Sequence, residues 1–317
     1  MISVKVNKIT SEATNICSFE LIPVNHVLLP SASPGAHIDV HIDHDIVRQY
    51  SLINGPNEDH HYVIAVQKEL QSRGGSKAMH DSISEGDIIT ISEPRNNFHL
   101  VEDAEHYTLL AGGIGITPIL SMARHLSAKA SKFTLHYCCQ SSSRMAFKNL
   151  ISESNFSDCS FFHYDDGSED QLLDLHQFLG NRPDGGHLYL CGPQGFMKAI
   201  EAASQQAWPA GTVHMEYFSV DEKAISGNTS SFQIKLAHSG EIFSVPEDRS
   251  IVEVLAENNI QIPTSCEQGV CGTCLVGVID GEPDHRDVFL SEKAKKRCNK
   301  LTPCVSRSKT PLLVIDL

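Results

Sequence analysis

Four of the ten cysteines in this 317-residue chain limit its possible folds more than any other feature. Within residues 265–274, SCEQGVCGTC, Cys266, Cys271 and Cys274 follow the spacing C-x4-C-x2-C, and Cys298 and Cys304 compete downstream for a fourth position. This is the spacing of a plant-type [2Fe–2S] loop. Two irons each need two thiolates, so a short loop must wrap the cluster and present three sulfurs on its inner side. Gly269 and Gly272 have no Cβ, which lets backbone approach the cluster and aim N–H groups at its sulfurs. A structural zinc site would show two C-x2-C pairs, and only Cys271 and Cys274 form one.

The rest of the chain has to be read around that loop. Its length suggests two or three domains of about 100–150 residues each. No apolar run approaches the ~20 residues that span a bilayer. The start, MISVKVNKIT, alternates like a strand and lacks the basic and apolar regions of a secretory signal. Ten unevenly clustered cysteines then point to reduced thiols and a metal site in a cytoplasmic protein, not to a disulfide framework. A net charge of −14 argues against nucleic acid as a partner. Residues 1–231 hold 27 acids and 15 bases while residues 232–317 hold 12 and 10, a change of balance that agrees with a boundary near 231.

Residues 1–100 alternate in short runs (HIDVHI 37–42, YVIAVQ 62–67, DIITIS 87–92), the pattern of an antiparallel barrel or sandwich. From about 105 strands alternate with helices: TLLAGG, a helix over 116–126, FTLHYC, a helix over 144–154, CSFFHYDD, a helix near 172–179, HLYLCG and a helix from Pro193 to about Trp208. Such alternation indicates a parallel sheet covered by helices. Residues 219–231 read as a linker, followed by a hairpin turning at Ser239-Gly240 and a helix at about 250–258.

An iron–sulfur centre takes single electrons, so a hydride donor needs a flavin between it and the cluster. Arg48-Gln49-Tyr50-Ser51-Leu52 is a first candidate. The arginine can grip phosphate, the tyrosine falls on the same strand face, and Ser51 can hydrogen-bond a ring. In Arg73-Gly74-Gly75-Ser76 a short helix opens on glycines, where free N–H groups favour phosphate. Gly112-Gly113-Ile114-Gly115-Ile116-Thr117-Pro118 joins a strand to a helix, where a pyrophosphate would sit. Cys191-Gly192-Pro193 follows a strand whose carboxyl end faces the ligand side of an open sheet. Taken singly, each fits an ordinary strand, turn or buried cysteine as well.

Together and in this order, R-x-Y-S-L, R-G-G-S, G-x-G-x-T-P, C-G-P, E-x-F and C-x4-C-x2-C…C resemble the phthalate dioxygenase reductase family over essentially the whole chain. The resemblance implies a multidomain protein: an antiparallel β-barrel flavin domain (1–102), an α/β parallel-sheet nucleotide domain (103–226) and a β-grasp-like α+β ferredoxin domain (232–317). It implies FMN contacted by Arg48, Gln49, Tyr50, Ser51 and the strand at Val63, Ala65 and Val66, with its phosphate at Gly75 and Ser76. NADH would meet Gly113, Gly115 and Thr117 at its pyrophosphate, Asp165 at a ribose, and Cys191 with Gly192 and Pro193 at the nicotinamide. Phe218, from Glu216-Tyr217-Phe218, would lie near the flavin ring. The cluster ligands would be Cys266, Cys271, Cys274 and Cys304, leaving Cys17, Cys138, Cys139, Cys159 and Cys298 as plain thiols. Electrons would pass from NADH through FMN to the cluster and on to a separate Rieske-type oxygenase. The chain has no Rieske-type C-x-H and C-x-x-H pair of its own. The rival reading is a free-standing NAD(P)H:acceptor reductase with no oxygenase partner.

Overall fold

A computed structural model of the chain describes residues 1–25, 27–43, 46–69, 74–219 and 230–317. They form two compact units, Met1–Glu216 and Tyr217–Leu317. Arg73 and most of the expected linker, residues 220–229, lie outside the described residues.

The first unit opens with β1 (Ile2–Ala13), β2 (Ile16–Pro23), β3 (His37–Asp43), β4 (Ile46–Ser51), β5 (Tyr62–Gln67) and β6 (Ile88–Ile91), in the order β4-β3-β6-β1-β2-β5. Every pairing is antiparallel. A bridge between Leu52 and Ile64 joins the two ends, so the sheet closes on itself. Alternation along the strands fills the interior: Val4, Val6, Phe19, Leu21, Ile38, Val40, Tyr62 and Ile64 share one core. The short helix α1 (Gly75–Asp81) adds Met79 to it.

The same unit continues as β7 (His106–Gly112), α2 (Ile116–Ala128), β8 (Phe133–Cys139), α3 (Lys148–Ser152), β9 (Ser160–Tyr164), α4 (Leu175–Gly180), β10 (Gly186–Cys191), α5 (Gln194–Ala207) and β11 (Val213–Glu216). These strands form a parallel sheet, β11-β10-β7-β8-β9. β7 is buried on both faces, and its second half, Leu109-Leu110-Ala111-Gly112, reads as an unbroken apolar run. The chain winds outward from β7 to β9 and returns to β10 on the other side of β7. The topological switch point therefore lies between β7 and β10.

One expected element is shorter than its sequence pattern. The helix expected over 144–154 is only α3, because Met145 is extended and Phe147 left-handed, and neither conformation continues a right-handed helix. The chain stays uncoiled there, and Phe147 takes a left-handed φ of 59° before the helix begins.

The second unit holds β12 (Phe232–Leu236), β13 (Ile242–Val245), α6 (Ile251–Glu257), β14 (Val276–Asp280), β15 (Pro283–Asp284), α7 (Glu292–Lys295), β16 (Lys300–Leu301), β17 (Arg307–Ser308) and β18 (Leu312–Ile315). Its mixed sheet runs β13-β12-β18-β14-β16, and β15 pairs with β17 apart from it. α6 starts in a capping box, Ser250 Oγ accepting from Glu253 N and Glu253 Oε2 from Ser250 N. The helix packs Ile251, Val254 and Leu255 into the core beneath the sheet. This is a β-grasp arrangement, and the cysteine loop follows α6 in the chain and leads into β14.

Candidate functional site

In the cysteine loop the thiols come in pairs. Cys274 Sγ and Cys304 Sγ are 3.3 Å apart. Cys266 hydrogen-bonds Cys271 and holds its pKa down to about 5 while its own is raised. Cys304 likewise lowers Cys274. Gln268 N donates to Cys266 Sγ (3.3 Å) and Thr273 N to Cys271 Sγ (3.4 Å). Cys298 is differently placed, with its thiol directed to the Lys295 carbonyl. Among the described residues no three potential donors converge on one metal point. Two pairs suit a two-iron cluster better than a single tetrahedral ion. Gly269 and Gly272 have positive φ. A Cβ on Gly269 would lie 2.6 Å from Val305 Cγ2, and one on Gly272 would lie 2.2 Å from Phe289 Cζ, so a side chain at either position would strain the backbone and displace its neighbour.

At the switch point the loops after β7 and β10 interlock. A Cβ on Gly115 would lie 2.3 Å from the Cys191 carbonyl oxygen, and one on Gly192 would lie 3.1 Å from Gly112 Cα. Gly113 takes φ 52°, and a Cβ there would face open space. The Thr117 hydroxyl donates to the Ile114 carbonyl and braces the turn. Pro193 caps α5. Cys191 is fully buried, and burial pushes its thiol far up, with Glu216 adding to the effect. Asp165 is exposed at the carboxyl end of β9, its amide bound to the Cys139 carbonyl.

Glu216 is the residue that the sequence motif contained but did not mark. It ends β11 beside Cys191 in register. The residue as a whole is half-buried, yet its Oε2 has neither solvent nor a hydrogen-bond partner. Burial lifts its pKa to about 8. A neutral carboxyl therefore stands at the end of the sheet, beside a neutral thiol.

On the barrel, Arg48 and Tyr50 share the face of Val40 and Ile38, their register partners. A Cβ on Gly75 would lie 2.5 Å from Arg48 Cγ, so the arginine stem lies against the start of α1. Ser76 Oγ accepts from Glu69 N. Burial pushes the Tyr50 phenol up. Gln49 turns to the other face, where its Nε2 donates to Asp39 Oδ1 at 3.1 Å. Ser51 is buried. On β5 the Val63 amide donates to Asn54 Oδ1, and His80 Nε2 lies 2.8 Å from the Val66 carbonyl, with Ala65 buried between them. Phe218 belongs to the second unit and is 36% exposed.

Fold and site together define a nicotinamide-binding, iron–sulfur oxidoreductase. A 2Fe-2S iron-sulfur cluster binding domain matches residues 234–309, and an oxidoreductase NAD-binding domain matches residues 109–202. The chain is similar to a vanillate O-demethylase oxidoreductase of Pseudomonas sp. (strain HR199), 44% identical with both chains fully covered. It is also similar to a tetrachlorobenzoquinone reductase of Sphingobium chlorophenolicum, 39% identical over 100% of this chain and 98% of the relative. Among solved structures, a phthalate dioxygenase reductase described as modular, for electron transfer from pyridine nucleotides to [2Fe–2S], superposes with a TM-score of 0.79 at 37% identity. That match covers 100% of this chain and 98% of the other. The chain belongs to the phthalate dioxygenase reductase family. Among the described residues no helix is long and apolar enough to cross a membrane.

Proposed function

We propose that this chain is the cytoplasmic reductase of a two-component Rieske-type oxygenase, carrying electrons from NADH through FMN and a [2Fe–2S] cluster to its partner. The supporting observation is that one chain joins a parallel sheet with an open switch point to a loop of paired thiols. Its domains run 1–102, 103–226 and 232–317. A bound flavin supplies the conversion of the two electrons of one hydride into two single-electron transfers.

The protein's own residues bind and orient. Arg48 with Gly75 and Ser76 holds the flavin phosphate. Tyr50, Ser51, the backbone at Gln49 and the strand at Val63, Ala65 and Val66 line its ring and chain. Gly113, Gly115 and Thr117 receive the NADH pyrophosphate, and Asp165 receives a ribose hydroxyl, which favours NADH over NADPH. Gly192 and Pro193 keep backbone clear for the nicotinamide, while Cys191 and Glu216 offer it neutral polar groups. Cys266, Cys271, Cys274 and Cys304 hold the cluster, at a potential of roughly −400 mV for this type.

The Cys304→Ser holoprotein tests the relay. NADH is expected to bleach its flavin at the normal rate while reduction of the oxygenase is lost; an unimpaired rate to the oxygenase would sink the reading. The quinone-reducing relative favours a second reading, direct reduction of a quinone. Under that reading, quinone turnover survives in Cys304→Ser and no oxygenase accepts electrons from the wild type.

A further inference from the structure

Between β4 and β5 the chain turns through residues 53–61, and this turn is fastened to α2 of the nucleotide domain. Arg124 Nη1 donates to the Ile53 carbonyl (3.0 Å) and to Glu58 Oε2 (3.0 Å), and Nη2 donates to Glu58 Oε1. Gly55 N donates to the same Glu58 Oε2 at 2.9 Å. A Cβ on Gly55 would lie 3.2 Å from Arg124 Cζ, so the guanidinium lies flat on the turn. One helical turn earlier, the buried Ser121 hydroxyl donates to the Asn54 carbonyl at 2.8 Å. Asn54 in turn braces the loop through the His61 carbonyl and the Val63 amide.

The turn begins two residues after Ser51 and leads into Val63, both assigned to the flavin. Arg124 lies two turns, about 10 Å along the helix axis, beyond Thr117 of the nucleotide loop. Ile53 and Ala65 also share an apolar core with Ile116, Ile119 and Leu120. Apolar contact is non-directional and leaves two surfaces free to slide. A two-pronged guanidinium–carboxylate fork fixes both distance and angle. An exposed ion pair would do little, but these side chains are only 25% and 26% exposed. Burial by itself would raise the Glu58 pKa, yet the Arg124 and Gly55 hydrogen bonds outweigh it and hold the carboxyl below its usual range. The fork is therefore charged at neutral pH.

We propose that Arg124 and Glu58 are positioning residues for hydride transfer: they set the separation between the flavin strand and the nicotinamide loop. The proposal rests on the NADH-to-flavin reading given above. Removing the fork leaves each ligand site intact but loosens their register, and misplacement by about 1 Å costs ~100-fold in rate. In Arg124→Met holoprotein, anaerobic single-turnover reduction of the flavin by NADH should fall about 10- to 100-fold, with NAD⁺ affinity and flavin content within about twofold of wild type. Arg124→Lys keeps the charge without the fork and should rescue less than half of the loss. Glu58→Gln provides the same test should Arg124→Met fold poorly. In flavin-free protein, hydrogen exchange of residues 53–61 should accelerate in each variant. A variant with faster exchange but wild-type hydride transfer overturns the positioning role. A wild type whose flavin NADH does not reduce overturns the functional reading instead, and the role of the fork with it.

Discussion

At the scale of single residues, burial sets the chemistry at the sheet's ligand end. Glu216 folds as a neutral acid because burial disfavours its charged form, its Oε2 having neither water nor a donor. Its folded pKa of about 8 lies above the ordinary 4.5. The folded state therefore binds a proton that the unfolded state releases between those values. Stability should fall as pH rises from about 4.5 to 8, by an amount on the order of a few kcal/mol. Thermal unfolding of the ligand-free protein at pH 5, 6.5 and 8 checks the slope. Glu216→Gln, with no proton to lose, should flatten it, and an unchanged slope would place the titration elsewhere. The thiol of Cys191 should resist iodoacetamide in native protein at pH 8, since burial keeps it protonated. Rapid native alkylation followed by mass mapping would contradict that. The cysteine was legible from C-G-P after an apolar strand. The state of Glu216 was not, because it depends on a β10–β11 register that no local pattern encodes.

At the scale of elements, close approach between loops matters more than helix or strand propensity. Gly115 faces backbone, the Cys191 carbonyl and the Gly192 amide, and so has no flexible neighbour that could yield to a side chain. Gly115→Ala should push the loops after β7 and β10 apart. We expect about 2–4 kcal/mol of lost stability and a raised KM for NADH, measured by denaturant unfolding and steady-state kinetics; a variant with wild-type stability and KM would show that the loops separate easily. The strands were readable because period-2 and unbroken apolar runs are local signals, as in Tyr62–Gln67, whose observed limits match the run in the sequence. The helix expected over 144–154 failed for the opposite reason. Its apolar spacing fits a helix, but the chain packs Met145, Ala146 and Phe147 into the core with Met145 extended and Phe147 left-handed, which breaks the helix before Lys148. The side-chain direction of Gln49 was likewise not legible: it donates across the strands to Asp39, a partner that the register supplies.

At the scale of the whole molecule, electrons must enter at one unit and leave from the other, so the exit should be separable from the entrance by mutation. In the second unit Phe289 and Val288 are 38% and 41% exposed. The Phe289 ring sits directly on Gly272, between Cys271 and Cys274. Val288 N donates to the Gly269 carbonyl, which fixes this segment to the cysteine loop. An exposed aromatic fixed against a redox loop offers a partner apolar area close to the cluster at little cost in side-chain ordering. Phe289→Ala removes that area and leaves Val288, the cysteines and their amide donors in place. Reduction of the oxygenase should slow about 10-fold or more, as for the loss of an interface anchor. NADH oxidation with ferricyanide, a small acceptor that needs no docked surface, should stay within about twofold of wild type. Stopped-flow reduction of the partner beside steady-state ferricyanide turnover separates the two. Equal losses in both assays would mean that the ring supports the cluster loop and is not the exit, and the partner's contact would then have to be sought elsewhere on this unit.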